Sequence, residues 1–275
     1  MKFSVLMSVY KNDNPIYFRQ SLESVSTMQT VKPNQIVIVQ DGPVSNEINS
    51  IIKDVEIQFT EIEFTILRKE KQQGLAAALN DGLEKCKYEY IARMDADDVA
   101  VENRFELQIT ELDNNKQIDI LGGYIAEFDN DPDILGSIRK VGLTQEEILK
   151  MAKHRCPFNH MTVIYKKSKV LQCGGYNTEF GKLEDYKLWV DMIKNNCICQ
   201  NLPCVLIKMR VGNGMIQRRS NPREITDWDR LQMDLLEAGI VKKFEVVENK
   251  IYIRFFTYMP VMVKKFLYSL FLRSR

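Results

Sequence analysis

Four short apolar runs alternate with segments of helical spacing in the first half of this chain, and that alternation constrains the fold more than any other feature. The runs are Phe3–Val9, Gln35–Val39, Phe64–Leu67 and Tyr90–Met94. Between and after them, apolar residues recur every three or four positions at Phe18, Leu22, Val25 and Met28, at Leu75, Leu79, Leu83 and Cys86, and at Phe105, Ile109 and Leu112. Alternation of this kind with short connections predicts a parallel sheet covered on both faces. In such sheets ligands gather at the carboxyl ends of the strands. An α/β nucleotide-binding half over residues 1–117 is therefore expected.

The second half is less regular. A strand is expected at Ile118–Phe128, with others at Met161–Tyr165 and Val205–Arg210. Thr144 and Glu147 form a capping box for a short helix, and a longer helix is expected from about Glu184 to Lys194. Asn221-Pro222 is the best candidate boundary, dividing residues 1–220 from a helical region at 221–275. Hydrophobic residues make up 45% and charged residues 27% of the 275, which excludes a disordered chain or a multi-span membrane protein. A formal charge of +1 advertises no nucleic-acid partner. The six cysteines form no even framework and are expected to be reduced, as in a cytoplasmic protein.

The strand ends carry the chemistry. Asp41 follows the second strand in Gln40-Asp41-Gly42-Pro43, where it either accepts hydrogen bonds from a base or ribose or caps its own turn. Gln72-Gln73-Gly74 opens the next helix with polar groups suited to the same ligand. The fourth strand runs into Asp95-Ala96-Asp97-Asp98. Three carboxylates within four residues repel one another unless a cation binds, and Asp95 and Asp97 can converge on a hard ion, Mg²⁺ or Mn²⁺, that bridges to a diphosphate. Neither a Gly-x-Gly-x-x-Gly nor a P-loop motif is present, so a nucleotide here is held through carboxylates and metal. With two histidines and no nucleophile elbow, triad hydrolase chemistry has little to work with.

In this order the motifs resemble the family 2 glycosyltransferases of GT-A fold. The residues that carry the resemblance are Ser4–Tyr10, Gln40-Asp41-Gly42, the helix start Gly74–Asn80, and Asp95-Ala96-Asp97-Asp98. Gly174-Gly175-Tyr176 followed by Glu184-Asp185 is similar to the same family's acceptor-side motif. The likeness covers about residues 3–215 and is greatest to bacterial enzymes that build O-antigen or exopolysaccharide repeat units on a lipid carrier. It implies that Asp41 contacts a uracil ring and that Ser8 flanks the base. It further implies that Asp97 ligates the metal, that Asp95 touches ribose or metal-bound water, and that Asp185 is the catalytic base. The donor implied is a nucleotide sugar, expected to be UDP-linked, and the acceptor a polyprenyl-diphosphate-linked saccharide. One departure is Gln40, where the family often has a second acid. The Gln-x-x-Arg-Trp motif of processive synthases is absent, which favours addition of a single sugar with inversion.

Other residues stay open between two roles. Glu184 and Asp185 are acids at a helix start, which the helix dipole alone favours. His160 contacts a phosphate or the acceptor, or is a hydrogen-bonded structural histidine. Arg210, Arg218 and Arg219 flank a glycine-rich segment that either closes over a diphosphate or is an ordinary basic loop. From Ile251 to Arg275 there are five cations, no acid and seven aromatics. After Pro260 the spacing predicts a basic amphipathic helix, lying in the inner face of a membrane or docked on the protein's own core. Two rival functions remain: a transferase acting directly on a lipid phosphate, and a non-catalytic sugar-nucleotide-binding scaffold.

Overall fold

The computed structural model describes residues 1–211, 223–259 and 263. Four parallel strands form one half of a nine-stranded sheet: β1 (Phe3–Val9), β2 (Gln35–Gln40), β3 (Glu63–Arg68) and β4 (Tyr90–Met94), in the order β3-β2-β1-β4. The crossovers are α1 (Pro15–Ser24), α2 (Asn46–Gln58) and α3 (Leu75–Lys85). β1 and β4 have the expected limits, and β2 and β3 run one residue beyond theirs at one or both ends. Helix α1 stops at Ser24, short of Met28. Helix α2 was not anticipated, although Ser45 caps it and Ile48, Ile51, Ile52 and Val55 all face the core. That apolar stripe contributes about 1.5–3 kcal/mol per buried side chain.

The sheet continues through the second half with mixed direction. β8 (Ile164–Lys166) pairs antiparallel with β4 and with β6 (Ile120–Phe128). β6 lies parallel to β9 (Cys199–Arg210), whose far edge takes the two-residue β5 (Val99–Ala100). The other two-residue strand, β7 (Ile138–Arg139), pairs with β6. The second predicted strand of this half, Met161–Tyr165, is shifted: His160–Thr162 form a 3₁₀ turn, and the strand starts at Ile164. Helices α4 (Arg104–Asn114), α5 (Gln145–Ala152), α6 (Lys167–Gln172) and α7 (Glu184–Lys194) cover it. The capping box at Thr144 and Glu147 forms with both of its hydrogen bonds, and α7 has the predicted limits.

Two apolar layers sandwich the sheet, one around Phe3, Phe18 and Phe105 and one around Tyr165, Tyr176 and Trp189. A smaller cluster docks α8 (Arg223–Glu237) and α9 (Lys243–Tyr258) onto α7 through Tyr186, Val190, Trp228, Leu231 and Leu235. All six cysteines are free thiols. Among the described residues no helix is long and apolar enough to cross a membrane. The proposed boundary at Asn221-Pro222, Arg218 with its glycine-rich segment, and the helix expected after Pro260 lie outside the described residues.

Candidate active site

At the carboxyl ends of β1, β2 and β4 the chain encloses a cleft of about 360 Å³. Ser8, Asp41, Gln72, Asp95 and Asp97, which the sequence scatters over ninety residues, all line it. Parallel direction explains the convergence, because strands running the same way deliver their ends to one edge.

Asp41 is buried, and it holds the wall of the cleft together. Its Oδ1 accepts from the Gln73 N–H at 2.8 Å and its Oδ2 from the Gly74 N–H at 2.8 Å. Both amides open α3 and have no intrahelical acceptor. Gly42 makes the approach possible: its φ is +88°, and a Cβ there would stand 2.9 Å from the Gln72 nitrogen. The carboxylate thus caps the neighbouring helix rather than its own turn, and each oxygen keeps a lone pair for a ligand.

The Asp95–Asp98 segment divides its carboxylates by environment. Asp97 is exposed, Asp95 half-buried and Asp98 buried. Asp95 accepts from the buried Arg93 guanidinium at 2.5 Å. Asp98 accepts the Arg210 backbone N–H at 2.9 Å, yet burial, aided by Asp97 and Asp95, pushes its pKa well above the carboxylate range. Asp13, after β1, lines the same cleft, and its pKa is pushed up to about 7 by burial and by the charges of Asp97 and Asp95. Among the described residues no three potential ligands converge into a ready-made metal cage. An exposed carboxylate in an acid-crowded cleft instead suits an ion whose remaining ligands are water and substrate phosphate, the usual manner of Mg²⁺. The donor set therefore fits a hard divalent ion at Asp97.

Arg210 is not on a loop. It ends β9, buried, with its guanidinium sandwiched between Tyr17 and Phe128 at 3.8 and 4.5 Å from the ring centres. It donates to the Asp97 carbonyl (3.1 Å), to Gln20 Oε1 (2.6 Å) and to the Asn130 carbonyl (3.4 Å). These bonds hold the Asp97 backbone in place, so the arginine expected at a diphosphate is spent inside the protein.

The acceptor-side motif is tied to α3. Asn80 accepts from the Tyr176 N–H and donates to the Tyr176 carbonyl, both at 2.8 Å. Gly175, at φ +72°, is required because a Cβ there would lie 2.7 Å from Asn80 Oδ1. Tyr176 in turn bonds His160 Nε2 through its hydroxyl at 3.0 Å. His160 also packs edge-on to Trp189, and burial with the nearby Arg93 charge holds its pKa well below the imidazole range. It is a neutral, buried, hydrogen-bonded histidine.

Helix α7 then begins with the two acids. Asp185 accepts its neighbour's Tyr186 N–H at 2.6 Å and the Cys156 thiol at 3.6 Å. Burial raises its pKa. Glu184 is 7% exposed with no partner for its Oε2, and its pKa is pushed up to about 8, by burial first and then by the Asp185 charge. Neither acid lines the cleft itself; Arg93 and Asp95, which do, act electrostatically on Glu184, and Asp95 on Asp185. Five lining residues are not among the expected site residues: Tyr10, Asp13, Leu75, Arg93 and Ala96. Arg93 left a signal, since it is the lone charge inside an otherwise uncharged strand.

A cleft with carboxylates at strand ends and a buried acid pair alongside is the architecture of a nucleotide-sugar transferase. The chain belongs to glycosyl transferase family 2, whose family model matches residues 4–174, and it has the GT-A fold. It is a glycosyltransferase. It is 34% identical over 272 residues to an Escherichia coli UDP-Gal:alpha-D-GlcNAc-diphosphoundecaprenol beta-1,3-galactosyltransferase, covering 99% of this chain and 97% of that one. It is 35% identical over 271 residues to the Erwinia amylovora amylovoran biosynthesis glycosyltransferase AmsE, covering 97% of this chain and 98% of that one. Among solved structures, Staphylococcus aureus TarS 1-349 in complex with UDP-GlcNAc superposes with a TM-score of 0.69 at 16% identity, over 99% of this chain and 76% of that one.

Proposed function

We propose that this enzyme transfers one sugar, with inversion, from a UDP-hexose or UDP-N-acetylhexosamine to a saccharide linked through diphosphate to a polyprenyl lipid, at the cytoplasmic face of the membrane. The observation that carries the reading is the single cleft formed by Ser8, Asp41, Gln72, Asp95 and Asp97, with Glu184 and Asp185 alongside. The relatives named above support the donor and acceptor classes, and the basic, aromatic segment from Ile251 to Arg275 supports a membrane surface.

In this reading Asp41, Ser8 and Gln72 border the nucleoside, and Asp95 lies at the ribose side. Asp97 would hold Mn²⁺ or Mg²⁺, which when bound would supply Lewis-acid stabilisation of the leaving group's growing charge. Asp185 takes the proton from the acceptor hydroxyl as that oxygen attacks the anomeric carbon. The new C–O bond forms opposite the sugar–diphosphate bond that breaks, and UDP leaves. A carboxylate whose pKa is raised by burial holds that proton more firmly than an exposed one, which suits a general base. Glu184 and Arg93 contribute a buried protonated acid and a buried cation that act on one another.

Calorimetric titration of UDP, GDP and dTDP, each with and without Mn²⁺, tests the donor site. UDP binding that needs Mn²⁺ and disappears in Asp97→Ala is expected. Absence of metal-dependent binding for every nucleotide would place the site elsewhere and favour a scaffold role.

A further inference from the structure

Helix α9 buries one face and leaves the opposite one bare. Its inner face holds Val246, Asn249 and half-buried Ile253. Asn249 bonds to the Lys153 carbonyl at 2.7 Å and to Gln232 Oε1 at 2.8 Å, and Glu245 pairs with Lys153 at 3.0 Å, so the helix is fastened to α5 and α8. At about 100° per residue, Phe244, Val247, Ile251, Phe255 and Tyr258 fall on one strip directly across from that face. They are 57–73% exposed, and the strip is about 20 Å long at ~1.5 Å per residue. Lys243 and Lys250 follow one margin of it together with Arg254, which is paired with Asp229 at 2.5 Å, and the exposed Glu248 borders the other. Beyond residue 259 the sequence adds Lys264, Lys265, Arg273 and Arg275 and no acid.

We propose that this strip of α9 is a membrane-docking surface that lies flat on an anionic bilayer. The proposal rests on the reading that the acceptor is lipid-linked. A continuous apolar strip of this length marks an interaction site rather than ordinary surface. Its occupant follows from charge: a margin carrying Lys243 and Lys250 that leads into an acid-free basic sequence complements anionic headgroups. A second copy paired antiparallel through the same strip would bring like cationic margins together. Because α9 is bonded to α5 and α8, seating the strip in the interface also fixes how the whole enzyme meets the lipid.

Flotation of the full chain with phosphatidylcholine vesicles, with or without about 30% phosphatidylglycerol, tests this. The wild type is expected to float with the anionic vesicles. The double variant Ile251→Ser, Phe255→Ser should partition at least about tenfold more weakly, with unchanged UDP affinity and circular dichroism showing that it is folded. A double variant that floats as well as the wild type overturns the proposal, since residues 260–275 then suffice. So does a wild-type dimer in sedimentation equilibrium that the double variant splits. A wild type that turns over a UDP-sugar but does not float defeats this inference alone. A wild type that floats but binds no UDP leaves it standing and defeats the donor reading.

Discussion

Glu184→Gln should make the protein more stable, by an amount that grows with pH. The carboxyl is buried at the first residue of α7 with one oxygen unpartnered, and its pKa is pushed from the ordinary 4.5 to about 8. The native protein therefore holds a proton that the unfolded chain releases. Stability from this group is whole below pH 4.5, is lost as pH rises through the interval, and stops falling above about 8. Each pH unit inside that window costs about 1.4 kcal/mol, or about 3 kcal/mol by pH 7. Glutamine keeps the shape and has no proton to lose, so the variant should gain about 3 kcal/mol at pH 7 and under about 1 kcal/mol at pH 5. Urea unfolding from pH 5 to 8.5, followed by the fluorescence of the buried Trp189 and Trp228, reads the difference. A gap between variant and wild type that is the same at every pH would refute the argument, because Glu184 would then ionise in the fold as it does in the unfolded chain.

Asp41→Ala strands two backbone amides of α3 and should cost about 2–4 kcal/mol, a fall of about 5–10 °C in Tm; an unchanged Tm would mean that water replaces the carboxylate freely. Arg210→Lys keeps the charge but cannot reproduce the fork that holds the Asp97 carbonyl, so Mn²⁺-dependent UDP affinity should fall about tenfold while thermal stability falls modestly. Equal affinity in titration calorimetry would show that Asp97 holds its position without it. Asp185→Asn should lower kcat by about 10²–10⁴ with UDP affinity unchanged. Because burial raises the Asp185 pKa, wild-type turnover should decline on acidification at a pH above the ordinary aspartate range, as the base takes up its proton. Asp185→Asn should show no such limb in its residual rate.

Local patterns recovered much of the fold. β1, β4 and α7 have the expected limits because strand runs and helix periods are written in neighbouring residues, and the capping box needs only Thr144 and Glu147. The carboxyl-end rule located Asp41, Asp95 and Asp97, and the family resemblance added Ser8. The failures have physical causes. Helix α2 was legible in its Ile and Val spacing and went unread, whereas the 3₁₀ turn at His160–Thr162 arises from nonlocal bonds: Thr162 supports Gly123, and His160 is drawn to Tyr176. Asp13 was missed because it lies beyond the last residue of β1 and reaches the cleft only once the chain turns back.

The amino-acid sequence by itself determined which elements form and which acids stand at the ends of parallel strands. Both depend on the alternation of apolar residues along a short stretch of chain. Tertiary structure decided what those groups became. It placed Arg210 under Asp97, set Asp41 against the start of α3, and split two adjacent acids into a hydrogen-bonded Asp185 and an unpartnered, proton-holding Glu184. Charge state and hydrogen-bond partner follow from how much water is excluded and by which segments. Those segments lie as far as 113 residues away in sequence, so no local pattern can encode the result.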